Sequence, residues 1–142
     1  MNFAKVVPEL LVTDIAESRR FYVDVLGFSI LYDRPENNFA YLDLCGAQIM
    51  IEQTDEPWLT GPMEKPYGRG IHLQIEVESI APLLDALGTV SWPLYRELYD
   101  AWYRMGESQT GNRQFLVQDP DGYLLRFFES LGEKPLSPAA LS

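Results

Sequence analysis

His72 is the only imidazole in the sequence and Cys45 the only thiol. A site of two histidines and a carboxylate, the usual cradle of a non-haem iron, therefore cannot assemble within one chain. Cys45 sits between Leu44 and Gly46 with no basic neighbour to stabilise a thiolate, so it reads as a buried or half-buried bystander. No serine or cysteine carries the glycine pattern of a nucleophile elbow. Gly68-Arg69-Gly70 is too short to cradle a phosphate and instead launches the strand that follows. Glu9, Glu52 and Glu76 are candidate general bases only if one is shielded from water. On a wet face they are plain surface charge.

What remains is recognition chemistry. Trp58 lies between two patterned halves of the chain, Trp92, Trp102 and Tyr103 precede Gly106, and Phe39 and Tyr41 lie on an early strand. Flat rings beside carboxylates suit a ligand with planar heteroaromatic groups and a cationic end, because stacking supplies area and cation–π contacts orient charge. The same rings could instead fill a core or an interface. The formal net charge of −10 attracts cations and helps solubility. It argues against nucleic acid, which requires a basic face, and against an anionic membrane. No apolar run approaches the roughly 20 residues of a membrane span. The N-terminal residues read as a first strand rather than a signal peptide. With one cysteine and no intrachain disulfide, a cytoplasmic setting is expected.

The elements that must position these residues come in two similar sets. Glu9 to Ala16 runs from a strand into a helix, and so does Gln74 to Ala81; Val12 matches Val77, Asp14 matches Ser79, and Ile15-Ala16 matches Ile80-Ala81. Asp14 and Ser79 are both expected to cap their helices. The first helix should reach about Leu26, with Gly27 in the left-handed position beyond it. The second presents Ile80, Leu83, Leu84 and Leu87 on one face and meets Gly88. Strands are expected at 28–33, 39–44 and 47–53 in the first half, and at 89–94, 113–118 and 123–129 in the second, with an irregular stretch after 94. Asp119-Pro120-Asp121-Gly122 is a strong turn.

This gives module one at 1–54, a linker at 55–69, module two at 70–130 and a loosely held tail at 131–142, all in one domain. Strand alternation places Pro8, Leu10 and Val12, and Ile71, Leu73, Ile75 and Val77, toward the core. Val7, Glu9 and Leu11 face the other way, as do Gln48, Met50 and Glu52; His72, Gln74 and Glu76; and Leu124, Arg126 and Phe128. That face is either a wet sheet surface or, if the sheet curves, a cleft. Met50 and Phe128 favour the cleft.

The pattern resembles the glyoxalase/bleomycin-resistance/dioxygenase group, the vicinal-oxygen-chelate superfamily. The residues that carry the likeness are Pro8, Leu10, Val12 and Asp14, then Phe21-Tyr22 and Leu26-Gly27-Phe28, then Phe115, Val117 and Asp119 to Gly122. Gly106-Glu107-Ser108, Gly111 and Arg113-Gln114-Phe115 are similar to the small bleomycin-binding resistance proteins. The resemblance implies an α+β fold of two βαβββ modules, a curved mixed sheet around a cleft, and a homodimer. Metal-using members place ligands at four strand positions, which fall here on Val7, Met50, His72 and Arg126. The repeat supports that mapping, since Val7 precedes Val12 as His72 precedes Val77. Only His72 is a conventional ligand, so no metal and no cofactor are expected.

Three readings stay open. The first is non-catalytic sequestration of a bleomycin-like cationic aromatic glycopeptide, a metal-independent route to antibiotic resistance. Its binding residues would be Phe39, Glu52, Trp58, His72, Glu76, Trp92, Trp102, Glu107 and Arg126. The second is a superfamily enzyme, of lyase or dioxygenase type, acting on a small metabolite. The third is a binding module for another hydrophobic cation.

Overall fold

The computed structural model describes residues 2–136. The chain forms two four-stranded mixed sheets, each with one helical segment. The first sheet contains β1 (Glu9–Leu11), β2 (Ser29–Arg34), β3 (Phe39–Leu44) and β4 (Ala47–Glu52), in the order β1-β4-β3-β2. The second contains β5 (His72–Glu76), β6 (Arg96–Met105), β7 (Ser108–Gln118) and β8 (Leu124–Pro135), in the order β5-β8-β7-β6. Each module is thus strand, helix and three strands, with one parallel pair closing the sheet. The expectation of one curved sheet gives way to two, because among the described residues no strand of one module pairs with a strand of the other.

The first helical segment, α1 (Ile15–Arg19), continues directly into a π-helical stretch (Arg20–Val25). Asp14 caps it as expected, its carboxylate accepting from the amides of Ala16 and Glu17 at 3.0 and 3.2 Å. Gly27 follows at φ +86°. The cap expected at Ser79 is not formed. The second helix, α2 (Ala81–Thr89), has Pro82 in its first turn, which removes an amide such a cap would reach. The Ile80 amide instead donates to Glu129 Oε1 on β8 at 3.2 Å.

The strand expected at 89–94 is also absent. Helix α2 runs through Gly88 to Thr89, and the Trp92 amide donates back to the Leu87 carbonyl at 2.9 Å. The stretch expected to be irregular forms β6 and the first half of β7, and the second half of β7 is the strand expected at 113–118. β8 likewise extends to Pro135, past a bulge at Ser130–Gly132, where a loose tail had been expected. The rest of that tail, 137–142, lies outside the described residues. Ile71, assigned to the core, precedes its strand and is exposed, and Cys45 is exposed at the β3–β4 turn with φ +50°.

A single apolar cluster joins the modules. Leu10, Val12, Phe21, Tyr22, Leu42 and Ile51 from the first meet Ile75, Leu87, Phe115 and Phe127 from the second. Full burial of each large side chain contributes roughly 1.5–3 kcal/mol. Polar ties cross the same junction at the Asp119–Gly122 turn. Tyr22 donates to buried Asp119 at 2.7 Å, Thr13 donates to Asp121 through its amide and hydroxyl, and Tyr123 donates to the Leu11 carbonyl at 2.9 Å. Gly122 is required there, because a Cβ would sit 2.5 Å from Pro66 Cβ. The dry faces of both sheets therefore look inward, and the faces carrying the polar alternation look out.

Candidate functional site

The outward face of the first sheet carries Glu9 and Leu11 from β1, Gln48, Met50 and Glu52 from β4, and Phe39 and Tyr41 from β3. Register sets them side by side: Glu9 opposite Met50, Tyr41 opposite Met50, and Phe39 opposite Glu52. At one edge a cavity of about 450 Å³ opens between β1, the end of β4 and the linker, lined by Glu9, Leu11, Arg34, Glu52, Glu56 and Trp58. Three carboxylates face one guanidinium. Burial, then the neighbouring Glu52 charge, raises the Glu9 carboxyl above its ordinary range, partly offset by Arg34. A cation placed there would relieve that repulsion. The indole of Trp58 is 99% exposed beside these acids, leaving its faces free to stack on a ligand.

The outward face of the second sheet has another character. Gln74 stands opposite Arg126 on β5 and β8 as Glu9 stands opposite Met50. Arg126 Nε donates to Gln114 Oε1 at 2.8 Å, and Gln114 Nε2 donates to the Tyr103 hydroxyl at 2.7 Å. The Arg126 guanidinium is 5.4 Å from the Tyr103 ring centroid. His72 and Glu76 are exposed at the two ends of β5.

The nine residues singled out from sequence thus fall into four groups. Glu52 and Trp58 meet in the acidic cavity. Phe39 lies beside them, but it is buried, with the Arg34 guanidinium 3.9 Å above its ring. His72, Glu76 and Arg126 share the second open face. Trp92 packs on Phe21 at 4.7 Å and donates its indole N–H to the Gln118 carbonyl. Trp102 covers Gly111 on the opposite face of the β6–β7 ribbon from Gln114, with Lys134 3.9 Å from its ring centroid, and Glu107 lies in the exposed hairpin turn. Within one chain they do not converge on one cleft.

Sequence reasoning left Arg34 and Glu56 out of the site. Arg34 was legible in principle, since it alternates with Tyr32 on the strand paired to Phe39. Glu56 is only two residues from Trp58, but nothing in the pattern says which way the linker folds. A larger cavity, about 640 Å³, lies between the linker, Trp92 and the Asp119–Gly122 turn. Its buried carboxylate Asp121 is already held by Thr13 and Lys65, so it offers no unsatisfied charge, and the acidic cavity is the better candidate.

Of the four positions that the resemblance assigns to metal ligands, Met50, His72 and Arg126 lie on β4, β5 and β8, and Val7 precedes β1; Val7 and His72 each lie two residues before the paired positions Glu9–Met50 and Gln74–Arg126. Their donor set does not fit a catalytic metal. Valine has no donor, methionine is soft, and Arg126 brings positive charge. Among the described residues no group of three or more His, Cys, Asp and Glu comes together to hold an ion.

Two four-stranded mixed sheets, each built from a strand, a helical segment and three further strands, define a paired-βαβββ class of α+β protein. The profile of the Glyoxalase/Bleomycin resistance protein/Dioxygenase superfamily matches residues 4–127, and the chain belongs to that superfamily. A bleomycin resistance protein of Geobacillus stearothermophilus is 31% identical over 137 residues, covering 88% of this chain and 96% of the relative; one from Staphylococcus aureus matches equally. Among solved structures, TioX from Micromonospora sp. ML1 is 25% identical with a TM-score of 0.66, covering 91% of this chain and 100% of that one. A virulence protein from Salmonella typhimurium shares the fold at 21% identity and a TM-score of 0.65, covering 91% of this chain and 98% of its own. No helix among the described residues is long and apolar enough to cross a membrane.

Proposed function

We propose that this protein binds and sequesters a cationic, aromatic small molecule of the bleomycin type without transforming it. The observation that carries the reading is the acidic cavity, which Glu9, Glu52 and Glu56 line together with the exposed Trp58. Such a site attracts a protonated amine and stacks a flat ring, and the donor set offers no metal to activate a substrate. The likeness to bleomycin resistance proteins supports the same ligand class. Resistance would follow from mass action, because bound drug is withheld from its target.

The remaining predicted contacts belong to a homodimer in this reading. A second chain laid against the open faces would bring His72, Glu76 and Arg126 of one copy toward the acidic cavity of the other. Burial of Tyr103, Met105 and Leu98, all exposed in the single chain, would favour that assembly.

The test is calorimetry of chelator-treated protein with metal-free and copper-loaded bleomycin. Binding at micromolar concentrations or tighter is expected for at least one form, and none for either would overturn the proposal. Light scattering behind size exclusion should give the mass of a dimer. Zinc, nickel, manganese or iron retained stoichiometrically through purification, seen by elemental analysis, would overturn the metal-free assignment.

A further inference from the structure

Residues Asn2 to Lys5 cross the open face of the first sheet at the end away from the acidic cavity. Phe3 sets its ring edge-on against Tyr41, with centroids 5.3 Å apart, and against Tyr32 at 6.0 Å. Those two tyrosines are themselves stacked at 5.1 Å. Beside them Gln48 Oε1 accepts from the Ala4 amide at 2.7 Å, and Gln48 Nε2 donates to the Asn2 carbonyl at 2.7 Å. These are the two backbone groups that flank Phe3 and, in extended chain, point the same way. One side-chain amide thus pairs with both peptide units around an aromatic residue, while two phenol rings hold its side chain.

The Gln48 amide is oriented independently of that segment. Its Nε2 also donates to Asp43 Oδ1 at 3.0 Å, and its Oε1 also accepts from the Tyr41 hydroxyl at 2.7 Å. An ionised carboxylate can only accept, so the amide nitrogen must face Asp43. The donor and acceptor are therefore set before anything docks on them, and a preset pair loses less freedom on binding. The tyrosine pair encloses the ring only in part: Phe3 remains 52% exposed, so displacing the segment gives up two hydrogen bonds and a half-buried ring rather than a core residue.

We propose that Tyr32, Tyr41 and Gln48 form a binding site for an acylated aromatic amino-acid amide, and that Asn2–Ala4 is a resident occupant which such a ligand displaces. Gln48 reads the two flanking amides, and the tyrosine pair reads the ring. The site lies apart from the acidic cavity: Gln48 is four residues from Glu52 along β4, about 13 Å at the rise of a strand. It uses no ionic contact, so it stands independently of the cation-sequestration reading.

The probe is N-acetyl-L-phenylalaninamide, which is neutral and carries one ring between two amides. Its binding is followed by amide chemical shifts in the full chain, in a Phe3→Ala variant and in a chain lacking residues 2–5. The deletion should bind the probe with a dissociation constant on the order of 1 mM, at least about tenfold tighter than the full chain. Phe3→Ala should gain at least about fivefold. In the deletion background Gln48→Met should lose about tenfold, and N-acetyl-L-alaninamide should not bind. Equal affinity in the full chain and the deletion, or an unchanged affinity after Gln48→Met, would overturn the site. Phe3→Ala leaves the Gln48 network intact, so its failure to gain affinity is decisive even if the Gln48→Met chain does not fold. A protein that takes up this neutral probe but not bleomycin refutes sequestration alone; the reverse outcome refutes this site alone.

Discussion

Glu9 stands beside Met50 on one sheet, and at the same place on the other Gln74 stands beside Arg126. The backbone register is shared while the side chains are not. On the first open face carboxylates, tyrosines and a free indole dominate. On the second, an amide, a guanidinium and a phenol are linked in a chain of hydrogen bonds from Arg126 through Gln114 to Tyr103. The dry faces differ far less, because both are drawn into one apolar cluster. Packing therefore restrains the inner faces of a repeated module, whereas the outer faces are free to specialise. The function of this chain is to be sought in that outer asymmetry.

The largest expected effect tests whether the two modules share one core. Phe127 and Phe115 are both fully buried and stack at 5.6 Å. Phe127→Ala should cost about 3–5 kcal/mol and shift a single urea transition seen alike by tryptophan fluorescence and circular dichroism. Two separate transitions, with the first module's unchanged, would break the picture of a joint core.

Next comes the polar junction. Burial pushes the Asp119 carboxyl up to about 6, despite hydrogen bonds from Tyr22 and from the amides of Tyr123 and Asp121. The folded protein therefore holds this proton between about pH 4 and 6 while the unfolded chain has released it, so this group's contribution to stability falls as pH rises through that window. A shift of about two units corresponds to about 3 kcal/mol. Asp119→Asn should flatten that component when unfolding free energies at pH 4.5 and 7 are compared with wild type. An identical pH difference in both proteins would refute the assignment.

The asymmetry of the open faces gives smaller effects. Trp58→Ala should weaken a cationic aromatic ligand about tenfold in calorimetry, with no change in the thermal midpoint because the ring is exposed. Glu52→Gln should weaken it about three- to tenfold and flatten the salt dependence, and Glu76→Gln, which the proposed dimer brings to the same cavity from the partner copy, should weaken it by about threefold. A loss from Glu52→Gln with none from Glu76→Gln would confine the site to the first face and break the dimer reading. The smallest effect belongs to the Arg113–Asp100 pair, at 2.9 Å but open to solvent. Arg113→Ala should leave the urea midpoint within experimental scatter.

Much of this was legible in the residues. The Asp14 cap, the Gly27 stop, the strands of module one and the Asp119–Gly122 turn are set by local chemistry, and each lies within a few residues of where the pattern puts it. The β6–β7 hairpin was legible only in part: the strand expected at 113–118 is the second half of β7, whereas β6 and the start of β7 were not foreseen. β6 pairs with β7 along the ribbon, with Trp102 lying over Gly111, and β6 does not alternate cleanly by itself. The packing of Trp92 was not legible either, since only the folded chain brings Phe21 and the Gln118 carbonyl to it. Among the candidate contacts, Glu52 and Trp58 converge because the linker folds back over β1, a path no periodicity encodes.

The sequence by itself determined the duplicated module, the family and the poverty of metal donors, because these depend on residue type at fixed intervals along the chain. The tertiary structure alone decided that the sheets are two, that their polar faces look outward, and that the acids gather at the edge of the first. Those outcomes depend on which distant surfaces exclude water from one another, and burial is a property of the assembled core rather than of any segment.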